Sequence, residues 1–539
     1  MKIYDARTKT YLLVAILVIA AILRLNHITQ PFTDYVDWRQ TSTAMMADNF
    51  YRRNGNIFYP EISWNGPGPS YNGREFQTIS YIAALLYRLV GQHDWVGRSV
   101  AVTFGLWGIF ALYQLVRRVW DEDHAIASAA VMALLPGSIF VERSFIPDPA
   151  MVSLVVTSFW LLVAYFQTDR LRYLFLASAI ATWGFLTKIP GLIVGIPMLY
   201  AMFTILGRKR MLYPKKLATI CVAAVFTLVP VIAYYLWARH LSLTYPPYHF
   251  AGEGNWLWDD GLKKWLEQKY FLPALYWNFN EWIWTQPLIL LVFVGLFLRP
   301  PQSDRESQSE QKLGESSGKA PWLFHWWMLA GVIFYLIGAK ELVINSWNFH
   351  ILNPAAAALA GHAMIAIASF ANKIGRSPAS LATVVAILLI VGGFGQKHLR
   401  NMYNPPWDST VTYKLGLALR QVSAPDDLVV TIPHGTTEPI AIYYSQRRGW
   451  SFPPPWPGVG WWGGTIKDDY EAIRLLDELR NQSADWLGIV ASRKKKIWEN
   501  NPEFVKYIER TCELKKENSE WVIYRILTPE EVSKLPNKR

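Results

Sequence analysis

The run Asp34-Tyr35-Val36-Asp37-Trp38-Arg39-Gln40-Thr41 sets two carboxylates and a guanidinium within eight residues. Carboxylates held where a helix leaves a membrane can take a proton from a hydroxyl or hold a cation, and an arginine can grip a phosphate. Tyr71-Asn72-Gly73-Arg74-Glu75-Phe76-Gln77 brings another acid, Glu75. The tight turn 136–149 adds Glu142, Arg143 and Asp148, with prolines on both sides of Asp148 to fix the backbone. Thr187-Lys188-Ile189-Pro190-Gly191 puts a lysine at a break between two apolar runs, and Lys340-Glu341 and Asn348-Phe349-His350 flank later ones. Each has an ordinary alternative: Asp148 as a helix N-cap, Glu75 as an acid favoured by a helix dipole, Lys188 as a snorkelling cation, His350 as a satisfied interfacial histidine. Position argues for chemistry, because ionisable groups beside hydrocarbon are expensive unless they are used.

The elements that must position these groups are membrane spans. Of 539 residues 52% are hydrophobic and 17% charged, where a soluble globule carries about 25% charged residues. The 26 Trp, 27 Tyr and 26 Phe suit membrane interfaces. A hydrocarbon core of about 30 Å needs roughly 20 apolar residues in helix. Eleven stretches qualify, near 11–29, 95–116, 124–142, 148–167, 172–187, 190–206, 217–238, 284–299, 322–339, 350–371 and 380–397, with 172–206 also readable as one broken span. The first lacks a small-residue cleavage site and reads as a retained signal-anchor. Lys and Arg alternate consistently between loops, so the basic set (Arg117 and Arg118, Arg208 to Arg210, Lys373 and others) belongs in the cytoplasm. Every acid and base singled out above then falls on the far face.

Two outer loops are long, 30–94 and 239–283, and the second is rich in Trp (Trp256, Trp258, Trp265, Trp277, Trp282, Trp284). Both suit interfacial helices. Residues 302–319 read as a flexible cytoplasmic linker. The tail differs in kind: Val429–Ile432, Trp486–Val490 and Trp521–Ile526 read as strands and Tyr470–Leu479 as a helix. Residues 1–400 are thus a transmembrane module and 401–539 an extracytoplasmic α/β domain. Cys221 and Cys512 stand in different settings, so no disulfide is expected. The net charge of +12 is spread over short loops, which suits orientation and anionic lipid and not nucleic acid.

A common site at the far face would take a lipid-linked substrate bearing phosphate. Lys and Arg, or a divalent cation on carboxylates, would bind the phosphate, and one carboxylate would take a proton from an acceptor hydroxyl. No P-loop, dinucleotide-binding turn, nucleophile elbow or zinc-binding His pair competes with this reading. The rival readings are a flippase for a lipid-linked sugar, which would carry charges nearer the midplane and show repeats, and a scaffold whose tail binds a partner.

The order of Asp-Trp-Arg-Gln, an outer Glu, the Glu142-Arg143-Ser144-Phe145-Ile146-Pro147-Asp148 turn, Thr187-Lys188-Ile189-Pro190-Gly191 and a tail with Tyr443-Tyr444-Ser445-Gln446-Arg447-Arg448-Gly449-Trp450 resembles a known family. It is similar to the GT-C membrane glycosyltransferases, specifically the dolichyl-phosphate-mannose–protein mannosyltransferase group (glycosyltransferase family 39) and the bacterial aminoarabinose transferases that modify lipid A. The resemblance implies a polytopic α-helical protein of GT-C type, with 11–13 spans and an outer α/β tail, in a bacterial inner membrane. It implies an inverting transfer of a sugar from a polyprenyl-phosphate donor to a hydroxyl on the periplasmic face, the acceptor being lipid, polysaccharide or protein. Asp37 takes the place of the family's catalytic base, with Asp34 the less favoured holder. Glu75 and Asp148 match metal- or acceptor-site acids, with Mg2+ or Mn2+ as the candidate ion. Arg143, Lys188, Arg39 and His350 are the donor-phosphate candidates, and Lys340 and Glu341 secondary ones. Three departures leave donor sugar and acceptor open. Asp37-Trp38 stands for the mannosyltransferases' Asp-Glu, Glu75-Phe76-Gln77-Thr78 for the aminoarabinose transferases' Glu-Lys-Pro-Pro, and Asn348-Phe349-His350-Ile351 for His-Asp-Tyr-Tyr.

Overall fold

Proline and glycine decide where the apolar runs break. In the computed structural model all eleven stretches are helical. Residues 6–249, 257, 275–301, 319–342, 345–374, 378–435, 438–454, 466 and 468–535 are described. Trp256, Trp258 and Trp265, and all of the 302–319 linker except Lys319, lie outside them. By length and composition seven described helices can each cross a membrane, and nine if each of two bent pairs, Glu122–Leu134 with Pro136–Arg143 (64°) and Leu275–Ile283 with Gln286–Phe297 (108°), is one broken span and not a re-entrant loop. The remaining two expected spans are the shorter apolar helices Leu171–Thr187 and Leu323–Gly338.

In chain order the helices are α1 (Ala6–Leu25), α2 (Asp37–Arg52), α3 (Thr78–Val90), α4 (Asp94–Val119), α5 (Glu122–Leu134), α6 (Pro136–Arg143), α7 (Asp148–Thr168), α8 (Leu171–Thr187), α9 (Gly195–Met211) and α10 (Pro214–Thr244). There follow α11 (Gln286–Phe297), α12 (Leu323–Leu342), α13 (Asn353–Ile374), α14 (Pro378–Tyr403), α15 (Trp407–Val422), α16 (Ile440–Ser445), α17 (Asp469–Asn481), α18 (Ala491–Asn500) and α19 (Pro502–Thr511). Short 3-10 turns at Ile189–Val194 and Ser346–Leu352 precede α9 and α13. The chain forms two compact units. The first is Met1–Ile28, Arg98–Tyr235 and Gly252–Met402, and the second Thr29–Gly97, Leu236–Ala251 and Tyr403–Arg539.

In the first unit small residues set the packing. A buried alanine run, Ala355 to Ala358, lets α13 lie close to α5. A Cβ on Gly361 would meet the Ser128 backbone nitrogen at 2.8 Å, and one on Gly295 would meet the Leu359 carbonyl at 2.1 Å. With no water to drive helices together inside hydrocarbon, such close backbone approach is what holds them. The bend between α5 and α6 has a sequence cause. Pro136 has no N–H for the Met132 carbonyl four residues earlier, so the helix breaks there.

In the second unit a five-stranded sheet of order β2-β1-β3-β5-β4 is built from β1 (Leu428–Ile432), β2 (Arg448–Ser451), β3 (Ala484–Val490), β4 (Cys512–Glu517) and β5 (Trp521–Ile526). β1 is parallel to β2 and β3, and β5 antiparallel to β3 and β4. All five residues of β1 are buried, as expected of a central parallel strand covered on both faces. Leu475, Leu476 and Leu479 of α17 and Phe504 and Ile508 of α19 share a core with Val430, Leu487 and Ile489 of the sheet.

The 401–539 tail proves to be part of a larger unit, because residues 29–97 cluster with it. Arg448 is the reason. Its guanidinium donates to the Gly66 carbonyl at 3.0 Å and the Gly68 carbonyl at 2.7 Å, and it pairs with Glu61. The Gly66 and Gly449 backbones then extend the sheet edge, Gly66 N–H to Gly449 O at 2.8 Å and Gly449 N–H to Ser63 O at 3.0 Å. Gly66 has a left-handed φ of 91° and lies against the Trp450 indole. At Gly449 a Cβ would fall 1.7 Å from the Val429 carbonyl, so only glycine lets β2 reach β1. Gly449→Val is therefore expected to separate β2 from β1 and open the tail to limited proteolysis, with the spans still inserted.

Candidate functional site

Asp37 opens α2 in the second unit. Its Oδ1 accepts from the Trp38 N–H at 2.5 Å and its Oδ2 from the Ser409 hydroxyl of α15. Burial nonetheless pushes its carboxyl up to about 6, against the pull of those two donors. Asp34 is fully buried and structural in its contacts: its Oδ1 takes the Gln40 amide at 2.6 Å, and its carbonyl takes the Asp37 N–H at 2.9 Å. It thus shapes the turn that presents Asp37.

Glu438, absent from the sequence reading, is the second acid beside Asp37. One carboxylate oxygen accepts from the Gly435 N–H at 3.3 Å, and the other is buried, with the Thr412 hydroxyl as the carboxyl's neighbour. Burial, then the Asp37 charge, raises its carboxyl to about 8. Ser409 and Thr412 stand one turn apart on α15, so one face of that helix serves both acids, Ser409 at Asp37 and Thr412 at Glu438. Thr412 gives its own hydroxyl proton to the Asp408 carbonyl at 2.9 Å, which suits a protonated Glu438 as its neighbour. Two carboxyls pushed apart in this way hold different protonation states at neutral pH.

Arg39, two residues after Asp37, pairs with Glu75 across the loop before α3. Its Nη1 is buried and has no hydrogen-bond partner among the described residues. Asn72, fully buried, makes no side-chain hydrogen bond among them either. His249 lies by the same charges. Burial, with help from Arg74 and Arg39, pushes its imidazole down to about 3, so it is neutral.

The first unit holds the other candidates, fully or almost fully buried. Lys188, in the extended break after α8, donates to Asp148 Oδ1 and Asn348 Oδ1, both at 2.7 Å. Arg143 donates to the His27 carbonyl at 3.1 Å and stacks over Phe140. His350 sits in a directional network. The Trp284 indole N–H can only donate, so the Asn353 atom it meets at 2.9 Å is the amide oxygen. The Asn353 NH2 then faces Ser138 at 3.1 Å and His350 Nδ1 at 3.0 Å. Nδ1 must accept, which leaves the proton on Nε2, 3.4 Å from Glu142. Glu142 is also bound by Arg24 at 2.6 Å. Lys340 and Glu341 end α12, and their side chains lie outside the described residues.

The structure thus brings Asp34, Asp37, Arg39 and Glu75 together in one unit, and Arg143, Asp148, Lys188 and His350 in the other. Among the described residues no three His, Cys, Asp or Glu side chains are grouped to hold a metal. Glu75 and Asp148, the acids expected to hold one, each meet a cationic side chain instead. As disposed, these donors do not fit Mg2+ or Mn2+, and no step is routed through either.

The fold is similar to that of solved GT-C membrane glycosyltransferases. Residues 78–235 match the family described as dolichyl-phosphate-mannose-protein mannosyltransferase. ArnT from Cupriavidus metallidurans, in the apo state, is 12% identical with a TM-score of 0.59, covering 97% of this chain and 98% of its own. An oligosaccharyltransferase from Archaeoglobus fulgidus is also 12% identical, TM-score 0.57, over 95% of this chain and 74% of its own. The dolichyl-diphosphooligosaccharide–protein glycosyltransferase subunit STT3B of Oryza sativa subsp. japonica is 27% identical over 188 residues, which span 26% of that protein. ArnT has been solved with undecaprenyl phosphate, and the archaeal enzyme AglB with an inhibitory peptide and a dolichol-phosphate.

Breaking a buried ion pair from one side costs about 3–5 kcal/mol, because the other charge stays buried alone. Lys188→Met should lower stability by about that amount, and adding Asp148→Asn should recover most of it. Thermal unfolding in detergent reads both.

Proposed function

We propose that this chain is an integral membrane glycosyltransferase that moves a sugar from a polyprenyl-phosphate donor to an acceptor hydroxyl on the outer face of a bacterial inner membrane, with inversion. The observation that carries the reading is Asp37: a carboxylate raised to about 6 at a helix start, held by Ser409 and the Trp38 amide. A base in that range is ionised at neutral pH and still basic enough to take a hydroxyl proton as the bond forms. Support for a lipid-phosphate donor comes from the bound lipids of the ArnT and AglB structures.

In this mechanism the acceptor oxygen, losing its proton to Asp37, attacks the anomeric carbon from the face opposite the phosphate. The anomeric carbon–oxygen bond breaks, and the phosphate leaves with one more negative charge. Arg39, whose Nη1 has no hydrogen-bond partner among the described residues, binds that charge. Lys188, engaged by Asp148 and Asn348, braces the break between α8 and the following turn. Glu438, neutral, keeps a second negative charge away from Asp37.

Asp37→Asn should fold with no loss of stability, since burial disfavours the charge it removes, and should abolish transfer assayed with a polyprenyl-phosphate sugar. Transfer retained within about tenfold of the wild-type rate would sink the assignment. In the wild type the rate should fall as pH drops through about 6, where Asp37 takes up its proton, and fall again above about 8, where Glu438 loses one. Glu438→Gln should erase only the alkaline limb of that profile.

A further inference from the structure

Beside the Glu438 loop, at the carboxyl end of β1 and just past β2, the second unit contains a cavity of about 200 Å³. Ligands in open α/β sheets bind outside the carboxyl ends of parallel strands, and β1 and β2 are parallel. The floor is apolar, from Ile432, Phe452 and Ile497, and the other wall is α18 with Arg493, Lys496 and Asn500.

The charges of α18 are not equivalent. Its three consecutive lysines have different fates: Lys494 meets Glu517, Lys495 lies 4.0 Å from Glu499, and Lys496 lines the cavity with no ion pair among the described residues. Arg493 spends its Nε on the His434 carbonyl at 2.6 Å and the Pro433 carbonyl at 3.2 Å, which pins the loop that leaves β1. No carboxylate lines the cavity among the described residues. An apolar floor with two cations and an amide on one wall selects a compact group that is part sugar or hydrocarbon ring and part anion.

The cavity is joined to the proposed base. Gly435 lines it and gives its N–H to Glu438, whose carboxyl lies within reach of the Asp37 charge. Gly435 is thus shared between the cavity lining and the support of Glu438.

We propose that this cavity seats the head of the acceptor, and that this head is a sugar-sized group carrying a phosphate or a carboxylate. The proposal deepens the transferase reading and rests on it for the word acceptor. The binding itself does not depend on that reading.

The test is binding to the full-length protein in nanodiscs, without any donor. The probes are glucose 6-phosphate, glucuronate and uncharged glucose, followed by saturation-transfer NMR and calorimetry. Both anions should bind, and glucose should bind about tenfold or more weakly, since the charge-assisted contacts are lost. Lys496→Glu should weaken the anions by about tenfold or more, while Lys495→Glu changes them by less than about twofold. If Lys496→Glu alters the melting temperature, Asn500→Ala serves in its place and should weaken both anions several-fold. Equal binding of glucose, or anion binding indifferent to Lys496 and Asn500, overturns the proposal. So does capture of phosphatidylglycerol vesicles through Lys496 with no binding of either anionic sugar. A protein that binds the anions through Lys496 yet transfers no sugar would refute the transferase and leave the pocket standing.

Discussion

A broken helix in hydrocarbon must find new partners for the backbone groups it frees, and in this protein a single arginine answers that need. Pro136 ends α5, and the Arg24 guanidinium takes the Met132 carbonyl at 3.2 Å and the Ala133 carbonyl at 3.1 Å. Its Nε is left for Glu142. Glu142 in turn faces His350, whose tautomer is set through Asn353 and Trp284. One kink thereby fixes α1, α5, α6 and the turn before α13. The next kink, at Pro147, starts α7 with Asp148 in position for Lys188. Buried ionic groups of this kind give little net stability, but they permit few alternative arrangements.

The second unit depends on a comparable device outside the membrane. Arg448 closes its guanidinium on four backbone or carboxylate oxygens of residues 61–68, and Tyr444 adds a hydroxyl between Asp94 and the Phe32 N–H, 2.7 Å from each. Asp37 is held from α15 in the same manner, through Ser409. The proposed base is therefore positioned by residues about 370 positions away in the chain.

Much of the fold was legible because hydrocarbon imposes a length. Eleven apolar runs became eleven helical segments, and the strands at 429–432, 486–490 and 521–526 fell within a residue or two of the observed β1, β3 and β5. The polar residues beside the spans were legible for the same reason, since charge at such places stands out. Arg24 was equally visible, the lone charge in the apolar part of α1, and was overlooked because it lacks the neighbours that make a motif. Ser409, Glu438 and His249 carry no local signal. Their meaning lies in what packs on them, and a serine at the start of an amphipathic helix reads as an ordinary polar residue. Lys188 and Asp148 were read as separate functional charges, 40 residues apart, and pairing of that kind has no periodicity to betray it.

The second unit is assembled from three separated stretches, 29–97, 236–251 and 403–539. During synthesis the first emerges well before the sheet that receives it. Between the two lie nearly all the spans, which must be threaded into the bilayer first. The early segment must therefore wait with Asp37 lacking its Ser409 partner. The contacts around Asp37 are completed only once Ser409 and Glu438 have been made, so a ribosome that stalls before them leaves spans inserted without that arrangement.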